Sequence, residues 1–304
     1  MKKTHLIIGL ILLTALAITA CATMETATTI ATVVGQGTGV ISASQGESIR
    51  KSATAVSKTM EEFTPEQEYY IGRSVGAIVL SKYTPYDNAS LNQYVNTIGQ
   101  TLAAASDTPE IFGGYHFLVL DSNDINAFAT PSGLIFVTRG LIRCCRSEDA
   151  LAAVLAHEVS HIQLRHGMQA IEKARMTEAL TILATEGAKN LGSREVAQLT
   201  QTFSGTISDI ANTMINNGYS RSFEYKADQT AITILRRVGY NPGGLVDMLQ
   251  TMTKNIKPGG VDFAKTHPAP QDRIAEIQKI NVAFTGVASS KSRDERFQKA
   301  AGRI

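Results

Sequence analysis

Two imidazoles four positions apart, with a carboxylate beside the first, are the parts of a zinc-assisted hydrolytic site, and the chain carries them as His157, Glu158 and His161. On a helix, residues i and i+4 share a face, so both rings reach one cation while Glu158 stands to the side with room for a water between. The chemistry on offer is attack of an activated water on a polarised carbonyl, with Glu158 as the base.

Such a site takes three protein ligands, so a third is expected downstream. Glu224 is the candidate. The pattern from Ser222 to Val238 predicts a helix that ends at Gly239 and the Asn241-Pro242 turn, with Glu224, Asp228, Ala231 and Leu235 along one face. Two carboxylates on an apolar stripe are costly unless a cation or hydrogen bonds compensate them. Asp228, one turn on, suits a supporting role: accepting a hydrogen bond from the far ring nitrogen of His157 or His161.

The motif needs its own helix. Ser147 predicts the N-cap, Glu148 and Asp149 suit the positive end of the dipole, and Leu151, Val154, Leu155, Val159 and Ile162 form an apolar stripe. Gly167 is expected to stop it. Upstream, Pro65 to Ala105 predicts two helices, and 116–138 a strand cluster: His116 to Leu120, Ile125 to Ala129, the turn Pro131-Ser132-Gly133, then Leu134 to Thr138. The plan is α+β and predominantly helical, with a small sheet beside the H-E-x-x-H helix. Asn126, Ala127, Phe128, Ala129 and Thr130 are read either as a substrate-binding edge strand, which would hold an extended peptide by its backbone, or as core strand.

Segments 126–140, 148–161, 224–228 and Thr266-His267-Pro268, in this order, resemble the HtpX and CaaX-prenyl-endopeptidase type of zinc metallopeptidase, closest to its periplasmic lipoprotein branch. The resemblance runs from about Pro65 to Ile280. It implies a gluzincin, zincin-like fold, one Zn2+ per chain on His157, His161 and Glu224, and Glu158 as catalytic base. It also implies an active-site role, sometimes called proton donor, for Asp228. His267 is expected either as a fourth ligand at rest, as an oxyanion stabiliser, or as an ordinary packed histidine.

The amino terminus sets the compartment. Lys2 and Lys3 precede an apolar run, Leu6 to Ile18, too short to span a bilayer comfortably, and Ile18-Thr19-Ala20-Cys21 resembles a lipobox. The expected organisation is a lipoprotein signal peptide over 1–20, a Thr/Ala/Ser/Gly-rich linker over 21–60 from an acylated Cys21, a metallopeptidase domain over 61–284 and a polar tail over 285–304. An amphipathic helix near 47–60 competes with the linker. For the tail, a short docking helix is the alternative. Ala22 after the cysteine favours the outer membrane by analogy with enteric bacteria, with the enzyme facing the periplasm.

Without the leader, 27 basic residues stand against 27 acidic ones, and no basic patch suggests nucleic acid. Charges throughout 168–218, among them Glu172, Lys173 and Asp209, exclude a membrane span there, so this stretch is read as a packed helical pair or a lid beside the cleft. His166 is read as a dipole partner at the end of the motif helix, and His116 as packed in the strand cluster. Adjacent Cys144 and Cys145 are strained as a mutual disulfide and are read as buried thiols or partners of other chains. The expectation is a membrane-tethered zinc endopeptidase that cleaves misfolded or misassembled envelope polypeptides, with envelope assembly machinery as a partner. The alternative is a zinc-bearing, non-catalytic chaperone or assembly factor for outer-membrane proteins.

Overall fold

The computed structural model describes residues 63–172, 218–255, 267–280, 290–302 and 304. The expected signal peptide, Cys21, the linker and 173–217 lie outside the described residues. The described residues other than Ile171 and Glu172 belong to one compact unit, drawn from 63–170 and 207–304.

That unit is mostly helical, as expected, with one small three-stranded sheet. Helix α1 (Pro65–Lys82) starts at a reciprocal cap: Thr64 accepts from the Gln67 amide, and the Gln67 side chain accepts from the Thr64 amide. Helix α2 (Ala89–Ala104) is capped by Asn88 and buries Leu91, Val95, Ile98 and Leu102 along one stripe. Strands β1 (His116–Leu120), β2 (Ala127–Ala129) and β3 (Leu134–Thr138) pair in the order β1-β3-β2, parallel between β1 and β3 and antiparallel between β3 and β2.

Each edge is managed differently. Along β1, side chains of α2 occupy the outer backbone groups: Asn92 Oδ1 accepts from the Val119 amide at 2.9 Å, and Asn96 both accepts from and donates to Phe117. These side-chain amides stand in for a fourth strand. The second strand begins later than the expected Ile125, because the Asn126 amide donates to Thr138 Oγ1 at 3.1 Å and Asn126 Oδ1 accepts from the Ala127 amide. At this end the Asn126 carbonyl still accepts from the Thr138 amide, while side chains take the other amides.

Beyond α3 (Arg139–Cys144) lies the motif helix, α4 (Glu148–Gln163), with Ser147 accepting from the Ala150 amide as cap. Every residue from Glu148 to His161 is buried, where the sequence predicts only a stripe. The reason is its neighbours: α2, β2, α5 (Arg221–Arg237) and α6 (Gly243–Asn255) surround it. Ala150, Ala152, Ala153 and Ala156 keep the remaining faces shallow enough for that.

Glu148 and Asp149 do more than complement a dipole. Glu148 accepts from Tyr94, Tyr240 and, in a fork, Arg296, while Asp149 accepts from the Asn241 amide and Arg293. Both arginines belong to the carboxy-terminal helix α8 (Lys291–Ala301), which follows α7 (Pro270–Lys279). The segment expected as a polar tail therefore holds a packed helix. Phe297 and Ala301, four apart, supply its buried face.

Gly167 does not end α4. The helix stops at Gln163, Arg165 turns in the left-handed region at φ 52°, and Gly167 lies in a new helical segment, 166–172. A Cβ on Gly167 would stand 2.8 Å from Pro131 Cγ, so close approach is what requires glycine there. Cys144 and Cys145 are buried thiols that donate to carbonyls one turn back, and burial pushes the Cys145 thiol up.

Candidate active site

Helix α4 presents His157 and His161 toward α5, whose buried face carries Glu224 and Asp228. Ser220 caps α5, which starts at Arg221, one residue ahead of the expected Ser222, and Gly239 at φ 74° follows its end. The two Nε2 atoms stand 3.0 Å apart; Glu224 Oε2 is 3.4 Å from that of His157, and Glu224 Oε1 is 3.5 Å from that of His161. Donors bonded at about 2.05 Å to a tetrahedral ion stand about 3.3 Å from one another, so the spacing fits one zinc-sized cation. His267 joins the group, its Nδ1 2.5 Å from Glu224 Oε2, and the four ligand atoms lie within 4.8 Å of one another.

Asp228 takes the far side of His157, its Oδ1 2.9 Å from Nδ1. Arg273, from α7, grips the same carboxylate with Nε at 2.9 Å and a terminal nitrogen at 2.6 Å, and both side chains are buried. That terminal nitrogen is also 3.2 Å from His157 Nδ1. A guanidinium only donates and the carboxylate only accepts, so the Nδ1 proton of His157 belongs to the Asp228 contact. In the neutral ring the Nε2 lone pair then faces the other ligand atoms.

Sequence reasoning missed Arg273. The available signal was its place one turn before Ile277 on α7, where both are buried. The expected dipole partner His166 lies beyond the end of α4 and is 1% exposed, and burial keeps it uncharged near neutrality. Tyr219 was missed as well; its ring stacks on His161 at 4.6 Å, and its hydroxyl makes no hydrogen bond among the described residues.

The electrostatics divide the carboxylates by task. Burial and the charge of Glu224 push Glu158 up to about 7, against the pull of His157, and its Oε1 makes no hydrogen bond among the described residues. An acid poised there exchanges protons readily near neutrality. Burial opposes ionising Glu224, but His267 and His161 outweigh it and hold the carboxylate well below the usual range. For Asp228 the same contest is won by the Arg273 charge. Burial and Arg273 oppose protonating His157, yet hydrogen bonds to Asp228 and Glu224 lift it to about 9, whereas burial draws His161 and His267 down and His166 to about 4.

The proposed peptide edge, 126–130, runs along β2, which among the described residues pairs with β3 alone. Ladder bonds at Asn126 and Thr130 alternate with outward-facing backbone at Ala127 and Ala129. All five residues are nonetheless at most 4% exposed.

Two helices that converge two histidines and a glutamate on one point, beside a small sheet, are the arrangement of a zincin-like metallopeptidase domain. The chain belongs to peptidase family M48, whose profile matches residues 89–281. It is similar to the beta-barrel assembly-enhancing protease of Escherichia coli K12, 26% identical over 77% of this chain and 46% of that protein. It also resembles the mitochondrial metalloendopeptidase OMA1 of Schizosaccharomyces pombe, 29% identical over 61% of this chain and 52% of the relative. The metalloprotease LoiP of Escherichia coli is 26% identical over 54% and 61% respectively. The chain spans about half the length of these relatives. The family implies a metal, and the buried donors are of the kind that hold one. No helix among the described residues is long and apolar enough to cross a membrane.

Proposed function

We propose that the chain is a zinc-dependent endopeptidase of the bacterial cell envelope, tethered by acyl chains on Cys21 and acting on misfolded or misassembled envelope polypeptides. The observation that carries the reading is the convergence of His157, His161 and Glu224 within ligand spacing, next to a buried Glu158 with one oxygen unengaged among the described residues. The charge pattern supports it too: Glu158, Glu224 and Asp228 with Arg273 leave two buried negative charges when all are ionised, which one divalent cation balances.

His157, His161 and Glu224 would hold the ion, one per chain. Zinc bound there supplies Lewis acidity toward water and the scissile carbonyl. Glu158 takes the proton of the attacking water and delivers it to the departing amine. Asp228, backed by Arg273, keeps His157 in the Nδ1-protonated tautomer. His267 steadies Glu224 through its Nδ1 and is close enough to serve as a fourth ligand at rest. The outer backbone of β2 would align the substrate. The word assembly in the name of the enteric relatives supports substrates or partners in outer-membrane protein assembly. Outer-membrane anchorage with the domain in the periplasm rests on the lipobox-like sequence.

The test is to incubate the zinc-loaded soluble fragment and its Glu158→Gln variant with envelope extracts and identify polypeptides cut by the former alone. Zinc-dependent cleavage that persists in the variant removes Glu158 as base. Cleavage by neither, with zinc bound by both, favours the non-catalytic assembly factor.

A further inference from the structure

After Gln163 the backbone turns through Leu164 and the left-handed Arg165, and a new helical segment begins at His166. The turn sets His166 against His161 of α4. Its ring meets that of His161 at 5.0 Å between centroids, and the two Nδ1 atoms are 2.9 Å apart. Two ring nitrogens at that distance share one proton, so one ring donates and the other offers a lone pair.

The roles follow from the other nitrogen of His161. Its Nε2 faces His157 Nε2 at 3.0 Å and Glu224 Oε1 at 3.5 Å, on the side where the donors converge. A histidine that turns Nε2 to a cation carries its proton on Nδ1, so His161 is the donor and His166 Nδ1 the acceptor. The orientation of His166 is itself fixed. Phe223 lies flat against it, at 4.3 Å and 1° between ring planes, and Phe223 immediately precedes Glu224 on α5.

We infer that His166 is a positioning residue, which accepts the Nδ1 proton of His161 and thereby sets the tautomer and ring angle that His161 offers to a divalent metal. The two motif histidines are then oriented by different means. His157 leans on a carboxylate, Asp228, whereas His161 leans on a second imidazole. A neutral acceptor orients without adding a negative charge to a buried site that already holds three carboxylates. The inference rests on the reading of His161 as a ligand.

The test uses the full chain in three forms: wild type, His166→Phe, which keeps a flat ring against Phe223 but offers no acceptor, and His166→Asn, which restores an acceptor oxygen near the Nδ1 position. Zinc affinity is measured by competition with a chromophoric chelator, and the His161 tautomer by nitrogen-15 NMR on the metal-free protein. The expected result is Nδ1-protonated His161 in wild type, a loss of about 10–100-fold in zinc affinity in His166→Phe, and recovery of most of that loss in His166→Asn. Zinc bound equally by wild type and His166→Phe overturns the inference alone, as does a His161 proton found on Nε2 or an asparagine variant no better than the phenylalanine one. A wild-type chain that binds no zinc overturns the metal site together with it.

Discussion

Replacing Arg273 by methionine keeps most of the side-chain volume and removes the guanidinium. Arg273 is fully buried and makes two short contacts, 2.9 and 2.6 Å, with an Asp228 that is 1% exposed, so the variant leaves that carboxylate with His157 Nδ1 as its remaining strong donor. Breaking a buried pair from one side costs about 3–5 kcal/mol. At about 2–4 °C per kcal/mol for a domain of this size, the melting temperature of the metal-free chain should fall by roughly 6–20 °C. The pH dependence has a definite sign. Arg273 holds Asp228 below the ordinary 3.8, so the contribution is complete above that value and fades as the pH falls below it. The gap between wild type and variant should accordingly be wide near pH 7 and narrow toward about pH 3. Thermal unfolding followed by circular dichroism measures it. The double variant Asp228→Asn with Arg273→Met, which removes the stranded charge, should recover more than about 1 kcal/mol. A single variant that loses under about 1 kcal/mol, or a double variant less stable than the single one, refutes the reasoning.

Phe297→Ala should destabilise the fold by about 3 kcal/mol in urea unfolding, because the ring is 5% exposed in the core beneath α8; a change under about 0.5 kcal/mol would mean that the helix does not dock in solution. Ala129→Pro should reduce peptide cleavage about tenfold or more while zinc content stays at one per chain, since its amide faces away from β3 and its loss breaks no ladder bond. Parallel loss of zinc and cleavage would instead make β2 purely structural.

The motif helix is legible in the sequence because its cap, its period and its chemistry are all local: Ser147 bonds the Ala150 amide, and i to i+4 spacing alone puts His157 and His161 on one face. Glu224 and Asp228 can be read because a carboxylate on a buried stripe signals compensation, and the same logic places Asp228 behind one of the two imidazoles, which the structure shows to be His157. Arg273 obeys an identical rule on α7. It escapes notice because its stripe is short, with Ile277 and Pro270 as its buried companions. His166 escapes for a different reason: its position depends on a left-handed Arg165, and no glycine or asparagine marks that turn. Gly167 reads as a stop because glycine usually ends helices, whereas here it makes room for Pro131. The helix at 291–301 reads as a tail because its polar residues outnumber Phe297 and Ala301, yet two of those polar residues, Arg293 and Arg296, end on Asp149 and Glu148.

Glu158 shows what the fold tolerates for the sake of chemistry. Its carboxyl is 2% exposed, and Oε1 has no hydrogen-bond partner among the described residues, an arrangement that stability alone would not retain. Burial and Glu224 push its pKa from 4.5 up to about 7. A raised acid binds its proton more tightly when folded, so the metal-free protein should lose stability as the pH climbs from the unfolded value through the folded one. Glu158→Gln removes that loss. Well above pH 7 the metal-free variant should be more stable than wild type by about 3 kcal/mol, and the advantage should vanish below about pH 4.5. Urea unfolding across that range measures both limbs. If the variant is the less stable protein at alkaline pH, Glu158 is a satisfied structural carboxylate, and the base of the proposed hydrolysis must be sought elsewhere.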